Sequence, residues 1–184
     1  MKKGKLIVIS GASGVGKGTV LNLMMQKCPE LRFSVSATTR PPRPGEQDGV
    51  HYYFVDKARF EEMIAQGEFL EYDAHNACYY GTPRAQAEEK MAHGHVLLDI
   101  DPNGAKQVKT SAPEAVLVFI LPPSVEELER RLRGRGDTSE EQIKIRMERS
   151  AWEMEQRGWY DYVVVNDDPE RCAEEILNIV ANLT

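Results

Sequence analysis

The chain's 184 residues predict an α/β fold: a core of parallel sheet flanked by helices, with a small mostly β insert. Three observations carry that prediction. Short apolar runs alternate with amphipathic helical stretches, the rhythm of strand–helix–strand crossovers. The first apolar run, KLIVIS, ends in the glycine-rich stretch GASGVGKGT, Gly11 to Thr19, and a helical pattern leaves it. Between about Leu31 and Tyr80 the rhythm breaks into brief runs rich in Tyr, Phe, Val and Thr.

Each element has its own signal. Beyond the glycine loop, Leu21, Met24, Met25 and Cys28 recur at helical spacing. Within the irregular stretch only DKARFEEMIAQG reads as a helix, and FSVSATT, HYYFV, EFLEYDA and CYYG read as strands. HVLLDID, His95 to Asp101, is a buried strand that ends in acids, and DPNGA after it has the look of a helix start at Asp101. AVLVFIL, Ala115 to Leu121, is a third core strand, stopped by Pro122 and Pro123. Ser124 with Glu127 forms a capping box for a helix whose Val125, Leu128 and Leu132 share a face. Thr138 with Glu141 forms a second box, opening a helix through about Gln156. YDYVVVN is a fourth apolar strand. Asp168 before Pro169 is an N-cap with proline at the first helical position. The last helix buries Cys172, Ile176, Ile179, Val180 and Leu183.

Composition narrows the function classes. An apolar fraction of 41% and a charged fraction of 28% describe a soluble globular chain. No apolar run approaches the ~20 residues of a membrane helix. The opening MKKGKLIVIS imitates a secretion signal, but the glycine loop cuts its apolar part short, so a cytoplasmic protein is expected. Cys28, Cys78 and Cys172 are widely spaced and expected to be reduced thiols. His93 and His95 lack further ligands for a metal and suit an exposed turn. A net charge of −6 argues against a nucleic-acid partner. The arginines nonetheless cluster, Arg40 with Arg43 and Arg130 with Arg131, Arg133 and Arg135, which suits small anionic ligands. No obligate protein partner is evident.

The glycine stretch is a phosphate loop. Between a strand and a helix, successive backbone N–H groups converge on one spot, and the helix N-terminus adds partial positive charge. Gly11, Ala12, Ser13, Gly14, Val15, Gly16, Lys17, Gly18 and Thr19 would hold a nucleoside triphosphate, with Lys17 reaching its β- and γ-phosphates. The usual hydroxyl after the lysine is replaced by Gly18 and comes one residue late, at Thr19. That removes one direct magnesium ligand. Magnesium is therefore expected on the phosphates and water, helped by Asp99 or Asp101, with no all-protein site.

The insert speaks to the acceptor. Arg40 and Arg43 sit in a proline-stiffened loop followed by tyrosines, a set suited to phosphate oxygens. Glu71 is followed by paired tyrosines and Thr82. A carboxylate accepts from N1–H and the N2 amine of guanine together, and adenine offers no such pair. Were Tyr52 and Tyr53 in a strand, they would face opposite ways, and Tyr52 is assigned inward.

Here the sequence resembles the guanylate kinase family over nearly its whole length. SATTRPPRPGE, HYYFV, EFLEY, YYGT, LLDID, ILPPS, RRLRGRG and VVNDD are similar to that family's motifs, in order and spacing. The resemblance implies one domain, with a P-loop core over residues 1–32 and 83–184, a GMP-binding insert over 33–82 and a helical lid over about 133–150. It implies magnesium-dependent transfer of the ATP γ-phosphoryl group to GMP, and to dGMP. The GMP phosphate would be held by Arg40, Arg43, Tyr52 and Tyr80. Ser36, Glu71 and Thr82 would read the guanine, with Gly81 permitting close approach and Asp99 near GMP and the metal. Arg131, Arg135 and Arg146 match the lid and catalytic arginines, joining Lys17 and Arg40. Asn166 matches a position near the adenine. Arg130 and Arg133 are read as solvated helix-end charges. The chain departs from the family at Ala77-Cys78, commonly Gly-Asn, and at Asn103, commonly Gln. The rival expectations are a related P-loop kinase acting on another phosphorylated acceptor, such as ribose 1,5-bisphosphate, and a non-catalytic binding module of the same family.

Overall fold

The computed structural model describes residues 4–75, 77–134 and 139–183. β1 (Leu6–Gly11) is buried at every position, as its run of aliphatic residues requires. α1 (Lys17–Lys27) leaves the glycine loop with Gly16 as its N-cap and buries Val20, Leu21 and Met24. Three two-residue strands follow: β2 (Arg32–Phe33), β3 (Ala37–Thr38) and β4 (Tyr53–Phe54). α2 (Lys57–Ala65) is capped by Asp56, whose side chain accepts from the Arg59 amide. β5 (Phe69–His75) and β6 (Cys78–Pro83) pair antiparallel, and α3 (Arg84–Met91) continues from the second of them. β7 (Val96–Asp99), α4 (Pro102–Ser111), β8 (Val116–Leu121) and α5 (Val125–Arg133) then alternate. α6 (Glu140–Glu155), a 3-10 turn (Gln156–Trp159), β9 (Tyr162–Val165) and α7 (Pro169–Ala181) complete the chain.

Two compact units emerge. Met1–Ile7 with Leu31–Ala115 makes the first. In it β2 lies parallel to β7, and β7 neighbours the start of β1. It also holds a four-stranded sheet ordered β4-β3-β6-β5. α2 covers that sheet: Phe60 and Met63 pack with Ala37 and Phe69 in a small core of their own. Phe60 stacks on Phe69 at 4.4 Å and on Tyr79 at 5.1 Å between ring centroids. Val8–Glu30 with Val116–Thr184 makes the second unit. There the rest of β1 neighbours β8, and β9 runs parallel to β8. α1 and α7 pack against each other, and Val20, Met24, Phe119, Leu128 and Ile176 are fully buried.

The expected parallel sheet with helices and the mostly β insert are both present. Several local expectations need correcting. FSVSATT is not one strand: Phe33 pairs with Leu97 in the main sheet, whereas Ala37 and Thr38 belong to the insert's sheet. The cap of α6 is Ser139 with Gln142, reciprocally bonded, one residue beyond the expected Thr138 and Glu141; Thr138 itself lies outside the described residues. Ser124 caps α5, but the Glu127 carboxylate is bonded to Arg130 and Arg131. Val125 is exposed, as the first residue of α5. Tyr162, Val163 and Val165 are exposed and only Val164 is buried, because β9 is the last strand of its sheet. Ile179 and Leu183 are half-buried. No helix among the described residues is long and apolar enough to cross a membrane.

Candidate active site

In the second unit, the loop between β1 and α1 turns on Gly16, whose φ is 93°. A Cβ added there would lie 2.8 Å from the Asn166 amide nitrogen. Only glycine takes that backbone conformation at little cost while another side chain sits so close. Lys17 is the first residue of α1, half-buried, and Gly18 and Thr19 are exposed. Gly18 has nothing within 4 Å of where a Cβ would stand, so its missing hydroxyl is not a demand of space.

The loop is held from outside by side chains. The Val15 carbonyl accepts from Asn166 Nδ2 at 2.7 Å and from Arg131 Nη1 at 3.1 Å. The same Arg131 nitrogen donates to the Asn166 carbonyl at 3.1 Å, and Arg131 Nε donates to Glu127 at 2.8 Å. Bonds from Arg130 and Arg131 hold the Glu127 carboxyl down to about 2. Arg131 and Asn166, expected at the catalytic centre and the adenine, thus both grip the loop's backbone. Asn166 is buried, and its Oδ1 has no hydrogen-bond partner. Arg146 Nε donates to the Ser13 hydroxyl at 3.4 Å. Arg130 and Arg133 pair with glutamates on the helix surface, as expected of solvated charges. Arg135 lies outside the described residues.

In the first unit, β5 and β6 set Glu71 directly opposite Thr82. Glu71 is only 7% exposed, and the Thr82 hydroxyl donates to its Oε1 at 2.6 Å. Burial pushes the Glu71 carboxyl up to about 7; Asp101 and Asp73 push the same way, and the Thr82 bond opposes them. Gly104 closes one side, since a Cβ there would lie 2.9 Å from Glu71 Oε2. Gly81 is buried between Thr82 and Tyr80 on β6, and Ser36 stands half-buried just before β3.

Of the phosphate-binding candidates, Arg40, Arg43 and Tyr52 lie on the segment after β3 and Tyr80 on β6. Arg40 lies 5.4 Å over the Tyr52 ring, and Tyr52 and Tyr80 meet edge to face at 6.1 Å. Tyr53 packs into the insert's core instead, so the two neighbours do face opposite ways. Arg43 is exposed. One acid here, the last residue of the SATTRPPRPGE motif, has no role assigned from sequence. Glu46 accepts from Arg40 Nη2 at 2.8 Å and from the Arg43 amide at 2.7 Å, tying the two arginines into one turn. Bonds to Arg40 and to the Arg43 amide hold its carboxyl down to about 2. Its three-residue spacing from Arg43, across Pro44-Gly45, is the sequence signal for such a turn. Asp99 ends β7, exposed; Asp101 caps α4, its Oδ1 accepting from the Gly104 amide at 2.9 Å. Among the described residues no three His, Cys, Asp or Glu side chains group as a metal cage.

A buried carboxylate on β5, an arginine turn and a glycine-rich strand–helix loop lie on a chain that matches a known family. Its profile, guanylate kinase, covers residues 3–183. A guanylate kinase of Nostoc sp. is 53% identical over 174 residues, 94% of this chain and 87% of that relative. One of Thermus thermophilus is 50% identical over 179 residues, 97% of this chain and 81% of the relative. Among solved structures, guanylate kinase from Anaplasma phagocytophilum superposes with a TM-score of 0.72 at 34% identity, covering 97% of this chain and 85% of that one. With the fold, the motifs and these relatives in agreement, the chain belongs to the guanylate kinase family.

Proposed function

We propose that this chain transfers the γ-phosphoryl group of ATP to GMP, and to dGMP, forming ADP and GDP by direct in-line transfer. The family supports the reaction. The observation that carries the acceptor is the buried Glu71–Thr82 pair. As a carboxylate, Glu71 accepts from both guanine donors, and Thr82 keeps its Oε1 in place. Arg40, Arg43, Tyr52 and Tyr80 would hold the GMP phosphate, with Ser36 and Gly81 against the base and Asp99 nearby. The nucleophile is an oxygen of that phosphate, already largely ionised at neutral pH, so no strong general base is required. The chain's task is alignment and charge neutralisation.

On the donor side the loop N–H groups and Lys17 would cradle the triphosphate, with Arg131, Arg135 and Arg146 at the transferring group. The donor set suits magnesium held by phosphate oxygens and water: the loop has no hydroxyl at Gly18, Asp99 is exposed, and Asp101 is already a helix cap. Bound there, magnesium would neutralise charge on the β- and γ-phosphates. The same reading divides the chain into the core, GMP-binding insert and lid described from sequence, and places it in the cytoplasm with its two substrates.

A coupled assay offering GMP, AMP, UMP and ribose 1,5-bisphosphate with ATP tests the proposal. GMP is expected to be preferred by orders of magnitude, and chelation of magnesium to abolish turnover. Preference for another acceptor would overturn it, and no turnover with any acceptor would favour a binding module. Lys17→Ala is expected to lower turnover by orders of magnitude with the fold intact by circular dichroism.

A further inference from the structure

We propose that Glu153 is a positioning residue for the phosphate loop, acting through Ser13. All three polar groups of Ser13 face α6. Its amide donates to Glu153 Oε2 at 2.8 Å, its carbonyl lies 3.2 Å from the Ser150 hydroxyl, and its own hydroxyl lies 3.4 Å from Arg146 Nε. Residues 146, 150 and 153 fall on one face of a helix, so one element reaches the loop residue at three points. The three contacts are unequal. Ser150 has one proton and lies closer to the Arg146 carbonyl, at 2.7 Å, so it binds Ser13 weakly. The Arg146 contact is long for a hydrogen bond. The Glu153 contact is short and charge-assisted, and Glu153 is only 4% exposed.

A buried carboxylate beside an anion-binding loop needs a reason, because it repels the triphosphate. Two features offset that cost here. Arg149 Nε donates to the other oxygen, Oε1, at 3.0 Å and balances the charge. The bond to Ser13 holds the start of the loop, so that the N–H groups beyond it keep their direction before ATP arrives. The position therefore works by reach, as an acceptor for the Ser13 amide, more than by charge.

Two conservative variants separate reach from charge. Glu153→Gln keeps one oxygen for the Ser13 amide, turns an NH2 toward the half-exposed Arg149, which can move to water, and loses the charge. Glu153→Asp keeps the charge but is shorter by one methylene and cannot reach. ATP affinity is read by equilibrium titration, which does not depend on GMP being the acceptor, and KM for ATP and for GMP are read in the kinase assay. That assay on the unaltered chain tests the kinase reading separately. Glu153→Asp is expected to weaken ATP binding about tenfold or more and Glu153→Gln by less than about threefold. KM for GMP is expected to stay within about twofold in both. The proposal is overturned if Gln weakens ATP as much as Asp, if neither variant changes ATP affinity, or if ATP and GMP weaken together, as a loss of general stability would make them do.

Discussion

Glu71 shows how one residue can pull stability and function in opposite directions. Its carboxyl is raised to about 7 by burial, from an ordinary value of 4.5. Between those two values the folded chain holds a proton that the unfolded chain gives up. The contribution of Glu71 to stability is therefore fully present below about 4.5 and is lost as pH rises through about 7. By the proposed function, guanine needs the opposite form, since only the carboxylate accepts from both donors. KM for GMP is thus expected to fall as pH rises from about 6 to about 8, with KM for ATP unaffected. Glu71→Gln should raise KM for GMP about tenfold to a hundredfold and lose most of this pH dependence. The residual dependence, from the phosphate of GMP itself, is common to both proteins and cancels in the comparison. Gly16→Ala belongs to the same scale. A φ of 93° and an amide 2.8 Å from the new methyl should cost about 1–3 kcal/mol in a denaturation curve and raise KM for ATP. Gly18→Ala meets no neighbour and should be tolerated or slightly stabilising, as an alanine in a helix.

Among the elements, those with local signals were legible and those defined by a partner were not. Asp56, Asp101, Ser124 and Asp168 all cap the helices that follow them, because an N-cap is a bond between residues three apart. β2 is two residues long and has no pattern of its own; it is a strand because β7 lies beside it. The cap of α6 slipped by one residue because Thr138-Ser139 is followed by Glu141-Gln142, two overlapping boxes with the same grammar. Within the insert, α2 and the small sheet depend on each other. Phe60 touches both β5 and β6 through Phe69 and Tyr79, and Tyr79 adjoins Tyr80 of the phosphate candidates. Phe60→Ala should cost about 3–5 kcal/mol in chemical denaturation. It should weaken GMP more than ATP, since the damage lies in the sheet that carries the candidate GMP residues Tyr80 and Thr82.

For the whole molecule, net charge is a poor guide to what binds. A chain of −6 takes two anionic nucleotides by our reading, because arginines and loop amides are placed locally while the acids are spread or paired. Each nucleotide should then stabilise the folded chain by mass action, about 2.7 kcal/mol at a hundred times its Kd. GMP and ATP should each raise the melting temperature, and in Glu71→Gln the shift with GMP should shrink while that with ATP is unchanged. The sequence by itself determined the fold class and pointed to the glycine-rich loop, because these depend on short-range patterns: alternation, caps and glycines; most candidate residues for each nucleotide came with the family resemblance. Only the tertiary structure decided how those residues are held. That Arg131 and Asn166 clasp Val15, that Glu46 ties Arg40 to the Arg43 turn, that Gly104 approaches Glu71 and that Glu153 reaches Ser13 are meetings of residues from 3 to 151 positions apart. Most of these partners are joined by no local pattern, and their distances follow from the packing of helices and strands.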